Sequence, residues 1–294
     1  MSPRDPSPLQ RFAAEFAASH IALAGLALLA LILFLVLLAP LIAPQNPYDL
    51  ARLDLLDSRL APGSRSAAGG IYWLGTDDQG RDMLSAILYG LRTSVTVGIA
   101  STLCGLAIGV SLGLAAAWFG GWVDALIMRL ADLQLSFPSV LIALVLLAVL
   151  GQGLDKIIVA LIAVQWAYYA RTARAAALVE RRKEYIEAAT ALALSHARIL
   201  FRHLLPNCLP PLVVVAAVQV AAAITLEATL SFLGLGLPIT EPSLGLLISN
   251  GFTYLLSGDY WISVFPGIAL LVAVVSINLV ADRLRDVLNP QSRR

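Results

Sequence analysis

Apolar runs of about 20 residues or more recur along the chain, each long enough for a helix to cross the hydrocarbon core of a bilayer. The first extends from about Ile21 to Ala43 and stops before Pro44. A second, Thr93 to Trp118, contains no Asp, Glu, Lys or Arg, and a third covers about Ala125 to Leu150 with Arg129 and Asp132 confined to its first turns. A fourth, Leu154 to Ala176, has an apolar middle and carries Arg171 and Arg174 at its far end. The fifth spans about Asn207 to Thr229 and the sixth Trp261 to Ala281. Composition agrees: 59% of the residues are hydrophobic and 13% charged, against about 25% charged in soluble domains. The reading is an all-α membrane protein with six transmembrane helices. The first run is retained rather than cleaved, because it is long for a signal peptide and Leu41-Ile42-Ala43-Pro44 makes a poor cleavage site.

Cytoplasmic loops hold the excess of Lys and Arg. With the N-terminus inside, 14 of the 20 Lys and Arg fall on the inner side, and only Arg52, Arg59, Arg65, Arg81, Arg92 and Lys156 lie outside. Both termini are therefore expected in the cytoplasm. The layout that follows is an N-terminal tail (1–20), the first span (21–43), an outer loop (44–92), a transmembrane core (93–281) and a C-terminal tail (282–294). Within the core, the outer stretch 230–260 is apolar, holds Gly234, Gly236, Pro238, Pro242 and Gly245, and lacks Lys and Arg. An apolar loop of that size is expected to dip against the bundle or pack on a partner.

Several chemistries are excluded or left without support. A net charge of +1 removes a whole-protein case for nucleic-acid binding. The only lysines, Lys156 and Lys183, follow Asp155 and Arg182, so the phosphate-cradling loop GxxxxGK[ST] is absent. Cys104 and Cys208 sit in or beside apolar runs, and His20, His196 and His203 have no metal-ligand spacing. No catalytic residue, metal or cofactor is expected in this chain, and any energy source must come from elsewhere.

The inner segment between the fourth and fifth runs carries the densest charge. Lys183 to Leu194 reads as a short amphipathic helix with Ile186, Ala189 or Thr190, Ala193 and Leu194 on its apolar side. Glu184 and Glu187 offer acceptors at the rim. Such a helix either enters a groove on another protein, by its smooth alanine face, or lies on the lipid headgroups. Pro206 suits the first turn of the fifth span. Ser101, Gly105, Gly109, Gly113 and Ala117 form a stripe of small residues, expected to pack helices closely. Asp77 and Asp78 suit helix capping, and Glu227, near the outer end of the fifth span, suits shallow contact with water. Arg129 and Asp132 have the spacing of a pair, and Gln165, Trp166, Tyr168 and Tyr169 read as an interfacial belt.

Glu187-Ala188-Ala189 followed by Leu205-Pro206 resembles the EAA motif of permease subunits of ATP-binding-cassette importers. Further stretches resemble its dipeptide, oligopeptide and nickel permease branch, closest to the C-type subunit of the pair: Trp73 to Asp82, Phe119 to Asp124, Met128-Arg129, Phe137-Pro138 and Leu230 to Gly236. The resemblance implies a type I importer permease in a bacterial cytoplasmic (inner) membrane that moves peptides or a similar small solute. A coupling helix at about 183–195 would dock on a cytoplasmic ATPase through Glu184, Tyr185, Glu187, Ala188, Ala189, Ala193, Leu205 and Pro206. It also implies a second permease as heterodimer partner, two ATPase subunits that bind the ATP, and an extracytoplasmic binding protein. Asp77, Asp78, Arg81, Asp82, Glu227, Gly234 and Gly236 would lie at the outer gate or touch that binding protein. Nickel, glutathione or opine-like cargo would suit the same branch. An ion-coupled carrier, the rival class, would need acids or broken helices at mid-membrane. Ala193 stands where the family usually has Gly, at a position suited to a left-handed turn.

Overall fold

The computed structural model describes residues 7–49, 53–66 and 69–288. Arg4, Arg52, Arg293 and Arg294, counted in the charge asymmetry, lie outside them. Two helices open the chain, α1 (Pro8–Ala17) and α2 (His20–Ile42), the second capped by the Ser19 hydroxyl, which accepts from the Ala22 amide. The N-terminal tail thus contains a helix of its own. After a loop with a two-residue hairpin, β1 (Ser64–Arg65) against β2 (Ile71–Tyr72), comes α3 (Met83–Phe119). It begins ten residues before the Thr93 boundary read from hydropathy, because the Asp82 carboxylate caps it by accepting from the Ser85 amide at 2.8 Å. Then follow α4 (Gly121–Leu135), α5 (Ser139–Leu150), α6 (Leu154–Glu180), α7 (Glu184–Ala191) and α8 (His196–Arg198). A π-helical turn, Ile199–Leu204, leads into α9 (Leu205–Phe232), with α10 (Leu244–Phe252) and α11 (Trp261–Leu288) last.

Four of these stretches are long and apolar enough to cross a membrane: α2, α3, His196–Phe232 and α11. The α4–α5 pair makes a fifth if taken as one span, but it is bent by 93°. The third run, expected as one continuous segment, is therefore broken at Ser136–Pro138. Pro138 has no N–H to continue the ladder and disfavours helical backbone at Phe137 before it. The π-turn before α9 has a similar origin, since Pro206 cannot donate to the preceding turn.

The contact of α6 with α3 is the most extensive between any two elements. The small-residue stripe makes this possible. A Cβ on Gly109 would sit 2.3 Å from the Trp166 carbonyl oxygen, and one on Gly113 would sit 2.4 Å from that of Ala170. Ser101 and Ala117 continue the buried stripe. Gln165 and Tyr169, read as part of an interfacial belt, are instead buried against this stripe, 3% and 0% exposed. Trp166 donates to Gln134 of α4; of the four, only Tyr168 is exposed. The apolar outer stretch folds back into the bundle: Leu244 and Leu247 of α10 join Met83 and Leu91 of α3 and Trp261 of α11 in one cluster. A second cluster, at the inner end, gathers Leu114, Ala173, Ile186, Ile199, Leu204 and Cys208.

The stripe yields a direct test. Gly109→Val must push α3 and α6 apart and is expected to lower stability by about 1–3 kcal/mol, measured as thermal unfolding in detergent. Gly267→Ala, on α11 where an added Cβ meets nothing within 4 Å, should be neutral or slightly stabilising.

Candidate functional sites at the two ends of the bundle

At the end of the bundle expected to face the cytoplasm, α7 is held from beneath. Ile186 and Ala189, 2% and 5% exposed, pack on Ile199 and Leu204 of the π-turn that begins the ascent into α9. The apolar side expected to enter a groove therefore faces the chain's own bundle, because the π-turn lies directly under it. Glu184, Glu187, Ala188, Ala191 and Leu192 form the outward side. Both glutamates lie in the first turn, where a negative charge suits the helix dipole. Glu180, the last residue of α6, fastens the entry: Lys183 donates to its Oε1 at 2.6 Å and the Tyr185 hydroxyl to its Oε2 at 2.7 Å. Partial burial, and then the Glu180 carboxylate, push the Tyr185 hydroxyl up to about 12.

The exit from α7 is a Schellman motif. The Leu194 amide donates to Ala189 O at 3.2 Å and the Ala193 amide to Thr190 O at 2.9 Å. Ala193 has φ 52°, so it adopts the left-handed conformation at the position where glycine would be unstrained. The neighbouring helix ends are also tied. Arg181 donates to Ala117 O at 2.7 Å and lies over the Trp118 ring, and Trp118 donates to His196 Nδ1 at 3.1 Å. Leu205 and Pro206 form the first turn of α9, with Leu205 packed on the inner cluster. Asp132 pairs with Arg171 rather than Arg129, and Asp124 accepts from Arg174 at 2.6 Å, so these acids tie α4 to α6. Spacing within α4 suggested the local pair; the closer approach of α6 overrides it.

The outer end is built from buried polar groups. Asp77 and Arg81 are 1% and 0% exposed. Arg81 Nε donates to Asp77 Oδ2 at 2.6 Å, and its Nη1 reaches Ile239 O at 3.2 Å, linking the first outer loop to the second. Asp82, not Asp77 or Asp78, is the cap of α3. Asp78 is half-buried, and burial, then the neighbouring Asp77, raises its carboxyl above the ordinary range. Gly234 and Gly236 meet the α5–α6 turn: Gln152 donates to Gly234 O at 2.7 Å and the Gly153 amide to Gly236 O at 3.3 Å. Of this outer set, Gly234 is exposed and Asp78 half-buried; the others are buried.

Glu227 departs furthest from its expected place. It is 0% exposed rather than in contact with water, because α3 and the lead into α10 close over it. Three hydroxyls donate to it: Ser94 to Oε2 at 2.7 Å, Ser231 to Oε1 at 2.8 Å and Ser243 to Oε1 at 2.9 Å. These serines come from α3, α9 and the approach to α10, and no sequence spacing joins them. Glu227→Ala leaves three buried hydroxyls without their acceptor and is expected to cost about 2–4 kcal/mol. Glu227→Gln keeps one oxygen acceptor and should lose about half as much. Thermal unfolding in detergent measures both, with Glu184→Ala on the exposed face expected to be near neutral.

With this geometry in view, comparison with known proteins is specific. Residues 105–294 match the family described as binding-protein-dependent transport system inner membrane component, and residues 7–62 match the N-terminal transmembrane domain of oligopeptide transport permease C. The di/tripeptide transport system permease protein DppC of Pseudomonas aeruginosa is 38% identical over 97% of this chain and 93% of its own. The dipeptide transport system permease protein DppC of Haemophilus influenzae is 36% identical, over 98% and 96%. An inward-facing structure of the MetNI methionine ABC transporter shares the fold, with a TM-score of 0.56 and 21% identity over 70% of this chain and 98% of that one. The chain belongs to the binding-protein-dependent transport system inner membrane components and is a multi-pass permease of the inner membrane.

Proposed function

We propose that this chain is the C-type permease subunit of an ATP-driven importer of di- and oligopeptides. The cargo is carried over from the names of its relatives, which match it along nearly their whole length. In this reading the membrane is crossed six times, by α2, α3, the bent α4–α5 pair, α6, α9 and α11, with both termini in the cytoplasm. Helix α6 is the least apolar of these; packing buries its Gln165, and Arg171 and Arg174 near its inner end are paired with Asp132 and Asp124. A second permease completes the pathway, two ATPase subunits hold the ATP, and a binding protein delivers cargo at the outer face.

The observation that carries the reading is the construction of α7. It is anchored by Ile186 and Ala189 to the foot of α9, and it presents Glu184, Glu187 and Ala188 outward. A helix exposed on one side and bolted to a span on the other transmits a push. When the ATPase dimer closes, α7 is carried with it, and α6 and α9 tilt between inward and outward access. The chain performs no chemistry of its own; it needs only two bundle arrangements close in energy.

Two substitutions test this in the complete complex, reconstituted in proteoliposomes. Glu187→Arg on the exposed rim is expected to reduce ATPase co-purification and ATP-dependent dipeptide uptake by at least about tenfold, while lowering stability by no more than about 1 kcal/mol through the helix dipole. Undiminished association, or uptake by permeases alone without ATPase, contradicts the proposal. Ala193→Gly relieves left-handed strain and is expected to stabilise the chain by about 1 kcal/mol with coupling intact. Loss of stimulated ATPase activity in that variant would instead make the strained alanine a coupling element.

A further inference from the structure

The break between α4 and α5 opens a cavity of about 380 Å³ at the level of the middle of α9 and α11, lined by Ser139, Val140, Ala222, Thr225 and Asn278 among others. A smaller one of about 80 Å³ shares Ser139 and Ala222 with it and reaches Gln165 and Gln219. Val164, near the centre of α6, lines that smaller space as well, so the break sits well inside the bundle's length rather than at either end. No Asp, Glu, Lys or Arg lines either space.

The polar groups here have few partners. Helix α5 has no side-chain cap, and neither the Ser139 nor the Val140 amide donates to another group among the described residues. Gln219 is 91% buried, being 9% exposed, yet its amide makes no hydrogen bond to any described residue. Asn278, across the cavity on α11, likewise has no side-chain partner among them. Asn278 is half-buried, and neither carboxamide is engaged by a described residue, so both are free to meet a ligand. Uncapped helix N–H groups carry partial positive charge and favour an anion, and one carboxamide lines each of the two spaces that meet at Ser139, Asn278 the larger and Gln219 the smaller. With no basic side chain present, such a site holds a carboxylate weakly and releases it, as a transport path requires.

The geometry points to a carboxylate subsite on the translocation path: the Ser139–Val140 helix start, Gln219 and Asn278 receive the free C-terminal carboxylate of the cargo in transit. This rests on the importer reading only for the identity of the cargo.

The test uses the complete complex in proteoliposomes, with Cys104→Ser and a reporter cysteine in place of Ala222. Thr225→Cys is a second reporter should the first impair assembly. The rate of maleimide labelling is followed with a dipeptide, its N-acetyl form and its C-terminal amide. The dipeptide and the N-acetyl form should slow labelling severalfold, the amide should need about tenfold higher concentration for the same effect, and Gln219→Leu should abolish the difference. Equal protection by acid and amide, protection by neither, or a reporter that never labels overturns the subsite. Uptake of labelled dipeptide is scored separately. Uptake without carboxylate-dependent protection sinks the subsite and leaves the importer reading, and protection without uptake does the reverse.

Discussion

Backbone-to-backbone approach of α3 and α6 is the constraint on which the rest of this fold depends. Lipid tails offer helices no hydrophobic reason to associate, so association must come from close packing and interhelical hydrogen bonds. Gly109 and Gly113 bring α3 against the Trp166 and Ala170 carbonyls of α6 at distances no larger residue permits. That contact gives Gln165 and Tyr169 of α6 a protein environment instead of lipid. At its inner end the same pair is finished by Arg181 on Ala117 O and by Trp118 on His196. The position of α7, which follows α6 directly, is thereby settled by a contact that lies mostly within the membrane.

The two ends of the bundle are built on opposite principles. Outside, acids and an arginine are turned inward: Asp77 with Arg81, and Glu227 under three serine hydroxyls, stitch α3, α9 and the two outer loops together. Inside, the acids of α7 face outward, while Ile186, Ala189 and the Tyr185 hydroxyl hold it to the fold. One end is thus closed by buried polar contacts, and the other presents an exposed helix face, as the proposed drive through α7 requires. Between them, at the Pro138 break, an uncapped helix start faces an uncharged cavity. Broken helices also occur in ion-coupled carriers, but here the break meets carboxamides rather than acids.

Much of this was legible in the sequence, for identifiable reasons. Apolar runs located the long helices because the bilayer sets their length, and Ser101 to Ala117 announced close packing because small residues at a four-residue period have few other uses in lipid. The EAA-like stretch marked α7, and the glycine preference at position 193 anticipated a left-handed turn that Ala193 indeed makes. What failed was information held between segments. Hydropathy averages over Phe137-Pro138 and cannot register a 93° bend. Periodicity gave α7 an apolar side but not what covers it, and spacing within α4 paired Asp132 with Arg129 when α6 offered Arg171. The three serines on Glu227 arrive from separate elements, so nothing local to the acid predicted its burial.

The central claim is that α7 and the foot of α9 move as one body and that this movement is driven from the nucleotide side. Paired spin labels in the assembled complex measure it. One pair joins Ala188 to the corresponding docking helix of the second permease, and the other joins Ala188 to Asn207 within this chain. The account predicts that the first distance shortens on ATP binding and recovers after hydrolysis while the second stays constant. A first distance that stays fixed through turnover, or a second that changes with it, would contradict it.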